Sequence, residues 1–160
     1  MDRIIHRSYV HFLFGTRDNK PFILQPMQKR LWSYMGGICR RMKMDVHEIG
    51  GEENHAHLLL SLSPHISVSM TMQNVKSISS RWMNDTFYPE KRIFRWQSGY
   101  LAHTIHQSEL SLYRSYIRNQ KELHEKTAFE TEYSRLKNVI RESNHEIETR
   151  FMKFNGEPIL

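Results

Sequence analysis

The chain has 160 residues, with 23 Lys and Arg against 17 Asp and Glu, a formal net charge of +6, ten His and a single Cys. One cysteine, Cys39, excludes a disulfide framework and any multi-cysteine zinc module, and a chain of this length buries enough surface to fold without either. The positive balance points to a polyanionic partner, either nucleic acid or an acidic membrane surface. The first residues, Met1 to Arg7, lack the apolar core of a signal peptide, and no window approaches a membrane span, so a cytoplasmic protein is expected. Seven Gly and five Pro are too few for a linker. A single domain over 1–160 is predicted, with its core at about 8–125 and a helical tail at about 126–160.

The first predicted strand is Ser8 to Phe14, rich in β-formers and closed by Gly15-Thr16. A helix follows, with Pro26 in its first turn and Met27, Leu31, Tyr34, Ile38 and Met42 as one apolar stripe. Asp45 to Ile49 alternates with period two, Gly50-Gly51-Glu52-Glu53-Asn54 reads as a turn, and His55 to Leu62 reads as a second, apolar strand of a hairpin. Pro64 ends it. Ser67 then caps a second amphipathic helix marked by Val68, Met72, Val75, Ile78/Ser79 and Trp82. Asn84 to Gly99 reads as an aromatic and basic loop, and Tyr100 to Ile105 as the last strand. A third helix starts near Ser108-Glu109 with Leu110, Tyr113 and Ile117 inward. A fourth carries Phe129, Tyr133, Leu136 and Ile140, and a polar tail ends in Gly156-Glu157-Pro158. The order β-α-β-β-α-β predicts an α+β, ferredoxin-like antiparallel sheet with helices on one face, followed by C-terminal helices.

His55-Ala56-His57 places two imidazoles on the same face of a strand. Ten His in 160 positions give about 0.6 such pairs by chance, so the spacing alone leaves hydrogen-bonded structural histidines and a metal site as alternatives. Tyr116 and Gln120 lie four apart, as neighbours on one helical face beside Arg114, Arg118 and Lys121. Such a face suits either phosphate handling or a half-buried tyrosine next to a solvated polar stripe. Arg40-Arg41-x-Lys43, Lys91-Arg92-x-x-Arg95, Lys76 and Arg81 are further candidate phosphate contacts or solvated charge clusters, and Phe87, Tyr88, Phe94 and Trp96 are candidate stacking platforms for unpaired bases or core aromatics. No P-loop occurs.

Taken together, these segments resemble the single-tyrosine transposases of the HUH (His-hydrophobe-His) class, known from insertion sequences and from dispersed palindromic repeats. The matching residues are Gly50-Gly51-x-x-Asn54-His55-x-His57-Leu58-Leu59, Val75-Lys76-x-x-Ser79-Ser80-x-Trp82, Phe94-x-Trp96-Gln97-x-Gly99-Tyr100, Tyr116-Ile117-x-Asn119-Gln120 and Phe129-x-x-Glu132-Tyr133. They run in order between about Tyr9 and Phe151. The resemblance implies Tyr116 as nucleophile, with His55, His57 and Gln120 holding Mg²⁺ or Mn²⁺. It also implies single-stranded DNA with hairpin ends as substrate, a 5′-phosphotyrosine intermediate with a free 3′-OH, and a homodimer. Lys76, Arg81, Arg95, Trp96, Arg118 and Lys121 are the expected DNA contacts. The covalent link keeps the bond energy of the phosphodiester, so rejoining requires no nucleotide cofactor.

Two segments depart from the pattern. Leu123-His124 stands where relatives often have His-His, and Leu101 and His103 replace the small residues frequent after Gly-Tyr. Both bear on the DNA site preferred. His11, His103, His106 and His124 could support the metal shell, but read singly each is a surface or core residue. The rival readings are a domesticated, non-catalytic single-stranded-DNA-binding protein on the same fold, and an endonuclease that processes repeat palindromes without full transposition.

Overall fold

Two strands buried on both sides organise the molecule. In the computed structural model, which describes residues 3–141 and the backbone pairing of Lys153–Phe154 with Glu157–Pro158, β1 (Tyr9–Gly15) pairs antiparallel with β3 (His55–Ser61) along its whole length. β2 (Asp45–Glu52) flanks β3 and β4 (Leu101–Ile105) flanks β1, giving the order β2-β3-β1-β4. With α1 (Gln25–Arg41) and α2 (Val68–Phe87) as crossovers, these are two interlocked split β-α-β units, the predicted ferredoxin-like architecture.

Side-chain alternation assigns each face. Val10, Phe12 and Phe14 of β1 and Ala56, Leu58 and Leu60 of β3 pack with Leu31, Met35 and Ile38 of α1 and Met72, Val75 and Met83 of α2. Tyr9, Leu13 and Leu59 point the other way, against Tyr113, Tyr116 and Ile117 of α3 (Leu110–Arg118) and Phe129, Leu136 and Val139 of α5 (Phe129–Arg141). Between these helices lies the short α4 (Gln120–Lys126). The predicted C-terminal helices thus cover the second face of the sheet, and His55 and His57 belong to that face.

Some expectations are corrected locally. α2 runs on through Phe87, past the predicted loop start at Asn84, because Asn84 is anchored inward: its Nδ2 donates to Phe94 O (3.0 Å) and its Oδ1 accepts from Phe94 N (2.9 Å). Ser67 does cap α2, accepting from Met70 N at 3.1 Å. Cys39 lies in the core, where burial pushes its thiol up to about 12. The tail beyond Arg141 lies outside the described residues, apart from β5 (Lys153–Phe154) and β6 (Glu157–Pro158). Among the described residues no helix is long and apolar enough to cross a membrane.

Gly50 and Gly51 are strand residues rather than turn residues, pairing with His57 and Ala56. A Cβ on Gly50 would lie 2.8 Å from Ile117 O, and one on Gly51 (φ +152°) would lie 2.2 Å from His55 O. Gly50 therefore lets α3 settle directly on the hairpin that carries the histidines, and Gly51 lets the hairpin's own backbone pass close to His55 and Ala56. Gly50→Ala is expected to cost about 1–3 kcal/mol of stability and to lift the Tyr116 segment off the sheet. Urea unfolding checks the first part, and increased Tyr116 solvent exposure in hydroxyl-radical footprinting checks the second.

Candidate active site

β3 presents the His55 and His57 side chains, α3 brings Tyr116, α4 brings Gln120 and α5 brings Glu132, so that five buried polar groups meet above the second face of the sheet. None is more than 3 % exposed. The helix predicted through Tyr116 and Gln120 breaks at Asn119 (φ −93°, ψ 20°), yet Gln120 Nε2 remains 3.4 Å from Tyr116 O. Tyr116 is fully buried, which removes the half-exposed reading, and its ring centroid lies 5.2 Å from that of His57. The tyrosine and the histidine pair therefore come together within one chain.

Glu132 ties the cluster. Tyr116 OH donates to its Oε1, as does Gln120 Nε2 at 3.2 Å. His57 Nε2 stands 3.1 Å from Oε1, and His124 Nε2 stands 2.8 Å from Oε2. These two histidine contacts are close but poorly aligned, so His57 Nε2 and Glu132 Oε2 have no hydrogen-bond partner although both are buried. His55 faces two acceptors, Asn54 Oδ1 at 2.9 Å and Gln120 Oε1 at 2.8 Å.

The electrostatics follow from burial and from the one carboxylate. Burial drives His55 down to about 3, with Glu132 compensating only in part, and drives His103 down to about 4. His11 is lowered well below its ordinary value by burial and by its histidine neighbours. Burial alone would raise Glu132, but His57, His124 and His55 outweigh it and hold the carboxyl well below its usual range. At His124 burial works downward and the Glu132 carboxylate overcomes it, so the net shift is upward. Tyr116 is raised well above the ordinary phenol value by burial and by the adjacent Glu132 charge.

These shifts set the sign of an acid response. His55 and His103 stay neutral in the folded chain while the unfolded chain protonates them, so stability is full above about pH 6.5 and falls as pH drops toward their folded values. The depressed Glu132 adds loss in the same direction at lower pH, whereas the raised His124 favours folding below its own value. Urea unfolding should lose about 2–4 kcal/mol between about pH 7 and pH 5. A stability that stays level or rises over that interval contradicts the neutral assignment.

The donor set fits a divalent cation. His55, His57 and Glu132 each offer one ligand atom, all within 4.8 Å of one another. His57 Nε2 and Glu132 Oε2 are buried without an aligned hydrogen bond, although each has an oppositely polar neighbour within 3.1 Å. A neutral His55 has a single N–H for two acceptors, so one of its contacts sets lone pair against lone pair. A cation at this point removes both conflicts, and Gln120 Oε1 already faces it.

The candidate DNA contacts are placed differently from one another. Arg81, Arg95, Arg118 and Lys121 are exposed, Arg118 with its Nε on Glu48 Oε2 at 2.7 Å. Lys76 donates to Gln97 O (2.9 Å) and Gly99 O (2.6 Å), fastening the segment before β4, and partial burial lowers it to about 8. Of the two readings of Trp96, the structure shows the core one: it is 8 % exposed, packs on Phe14 and Phe94, and donates Nε1–H to Ser79 Oγ at 2.9 Å. Phe94 is buried as well. Lys76, Arg95 and Trp96 border a cleft of about 500 Å³ whose lining includes none of the five buried site residues.

Glu132 is the site residue to which sequence reasoning gave no role, whereas His11, His103 and His124 appear there only as candidate support for the metal shell, read singly as surface or core residues. Glu132 follows Phe129 by three positions and precedes Leu136 by four, so it lies on the inward stripe of α5.

Against known proteins, the family model described as "Transposase IS200 like" matches residues 4–120. The search of curated proteins found no match. Among solved structures, a proposed transposase from Deinococcus radiodurans R1 is similar at 18% identity and a TM-score of 0.59, over 75% of this chain and 98% of that one. A REP-associated tyrosine transposase bound to a REP hairpin is similar at 15% identity and a TM-score of 0.57, over 78% of this chain and 73% of that one. At these identities the structural likeness carries the fold.

Proposed function

The chain belongs to the IS200-like transposase family, and from that premise we propose that it cleaves and rejoins single-stranded DNA beside a hairpin through a 5′-phosphotyrosine intermediate on Tyr116. The observation that carries this reading is the meeting of the Tyr116 hydroxyl with the His55–His57 pair, Gln120 and Glu132 in one buried cluster. A chain that only bound DNA would need neither the tyrosine nor its amide neighbour at the histidines. The structural relative bound to a REP hairpin supports hairpin DNA as the substrate class.

His55, His57 and Gln120, joined by Glu132, would hold Mg²⁺ or Mn²⁺. Bound there, the ion would supply Lewis-acid polarisation of the scissile phosphate. The chain's own groups do the rest. The Tyr116 oxygen forms the bond to phosphorus as the 3′-oxygen leaves, and the reverse attack by a new 3′-OH restores the tyrosine. The Tyr116 hydroxyl proton, pointed at Glu132 Oε1 beforehand, passes to that carboxylate as the O–P bond forms and from it to the departing 3′-oxygen, and the raised phenol keeps the nucleophile dormant in the closed arrangement. Because Tyr116 is fully buried, α4 and α5 must yield before a phosphodiester can reach it. The tyrosine serves the histidines of its own chain, and the homodimer implied by the family pattern would then pair two complete sites.

Purified protein incubated with 5′- and 3′-labelled single strands carrying hairpin ends and Mn²⁺ should yield an SDS-resistant protein–DNA adduct and a product with a free 3′-OH. Absence of any adduct across a panel of hairpins from the flanking genomic DNA contradicts the proposal.

A further inference from the structure

A line of three imidazoles crosses the sheet sideways on the face that carries the site. His57 Nδ1 lies 2.9 Å from His11 Nε2, and His11 Nδ1 lies 2.9 Å from His103 Nε2. The three residues stand on the adjacent strands β3, β1 and β4. His11 is directly opposite His103 and diagonal to His57. The His11 and His57 rings are nearly parallel, 9° apart. His11 and His57 are fully buried, while His103 sits partly exposed on the edge strand.

Each imidazole–imidazole hydrogen bond requires one N–H and one lone pair, and a neutral imidazole owns one of each. His11, bonded on both sides, can therefore donate in only one direction. The chain has two neutral arrangements. In one, every ring donates toward the site, ending with His57 Nε2–H against Glu132. In the other, every ring donates toward the sheet edge: His57 Nδ1–H to His11 Nε2, and His11 Nδ1–H to His103 Nε2. Only the second leaves a lone pair on His57 Nε2, the atom that faces Glu132 and lacks a hydrogen-bond partner.

We propose that His11 and His103 are positioning residues that set the tautomer of His57, so that its Nε2 lone pair is presented to a divalent cation when the line of histidines donates toward the edge of the sheet. This rests on the metal reading of His57 given above. Two protons shift along the existing hydrogen bonds between the arrangements, while one leaves His57 Nε2 at the site and one is taken up at Nδ1 of the partly exposed His103. The ring orientations that one requires already serve the other, and no backbone movement is needed. His55 has an analogous partner in Asn54 Oδ1, an acceptor for Nδ1–H that likewise favours a lone pair on Nε2.

Two readouts on the intact chain test this. Long-range ¹H–¹⁵N NMR of the imidazoles, recorded before and after saturation with Mg²⁺, should show His11, His57 and His103 all in the Nδ1–H form in the saturated protein. This needs no variant to fold. In parallel, Mn²⁺ binding measured by calorimetry should weaken about 10–100-fold in His11→Leu, which removes the acceptor for His57 Nδ1–H. It should return close to the wild-type value in His11→Gln, whose Oε1 can stand where Nε2 stood. His103→Leu, at a partly exposed position, should weaken binding less than His11→Leu. If the wild-type chain binds no Mn²⁺, both this proposal and the metal reading beneath it are overturned. If it binds Mn²⁺ but His11 carries its proton on Nε2 in the saturated protein, or a folded His11→Leu binds as tightly as wild type, the tautomer assignment alone is overturned.

Discussion

Replacing Tyr116 with phenylalanine is expected to abolish the covalent DNA adduct, lowering cleavage by on the order of 10³-fold or more, because loss of a nucleophile is not compensated by the groups arranged around it. The substitution removes one hydroxyl and leaves the ring that packs on His57, Tyr113 and His11. Glu132 loses one donor but keeps Gln120 Nε2 and the two flanking histidines, so the folding cost should stay within about 1–3 kcal/mol. Hairpin binding should persist. Circular dichroism and a gel-shift assay establish that the variant is folded and bound, and denaturing electrophoresis reads the adduct. Tyr113, whose ring centroid is 6.3 Å from that of Tyr116, is the internal control, since Tyr113→Phe should still form the adduct.

The second large effect is expected at His57. His57→Ala removes the imidazole whose Nε2 lacks a partner and whose Nδ1 is anchored by His11. Cleavage should fall by on the order of 10³-fold, the scale of losing a preorganised charge-stabilising group. Treatment of the wild-type protein with EDTA should produce a similar loss, reversed by Mn²⁺ and not by Ca²⁺-free buffer alone. His57→Ala also leaves His11 Nε2 and Glu132 Oε1 each short of a neighbour in a buried site, so some destabilisation accompanies it. Comparing the thermal midpoint with the cleavage rate separates the two effects. A folded His57→Ala protein that cleaves at the wild-type rate removes the metal site from the mechanism.

Much of this molecule is readable along the chain because its two central strands are buried on both faces. Ser8 to Phe14 and His55 to Leu62 are apolar runs bounded by turn residues, and the hairpin and crossover lengths leave few ways to pair them. The placement of Tyr116 beside Gln120 is local to one helical turn and survives even the break at Asn119. Glu132 is harder to see. A glutamate on an amphipathic helix resembles a solvated charge, and its burial is offset by Tyr116, Gln120, His57, His124 and His55, which all come from other elements. Its position three residues from Phe129 and four from Leu136 was the available signal. His11 shares the parity of Tyr9 and Leu13, so it faces the histidine side, but its partner on β4 depends on a strand register that no local pattern specifies. At Trp96 the sequence leaves a stacking platform and a core aromatic open, because aromatics among Lys91, Arg92 and Arg95 fit either, and the structure places Phe94 and Trp96 inward on either side of the exposed Arg95.

Tyr116 is the residue proposed to join to DNA. Wild-type protein trapped on a hairpin-flanked strand with Mn²⁺, digested with nuclease and protease and analysed by mass spectrometry, should yield a peptide containing Tyr116 with a 5′-linked nucleotide on its phenolic oxygen. A nucleotide carried by any other residue, or strand cleavage with no modified peptide, contradicts the account.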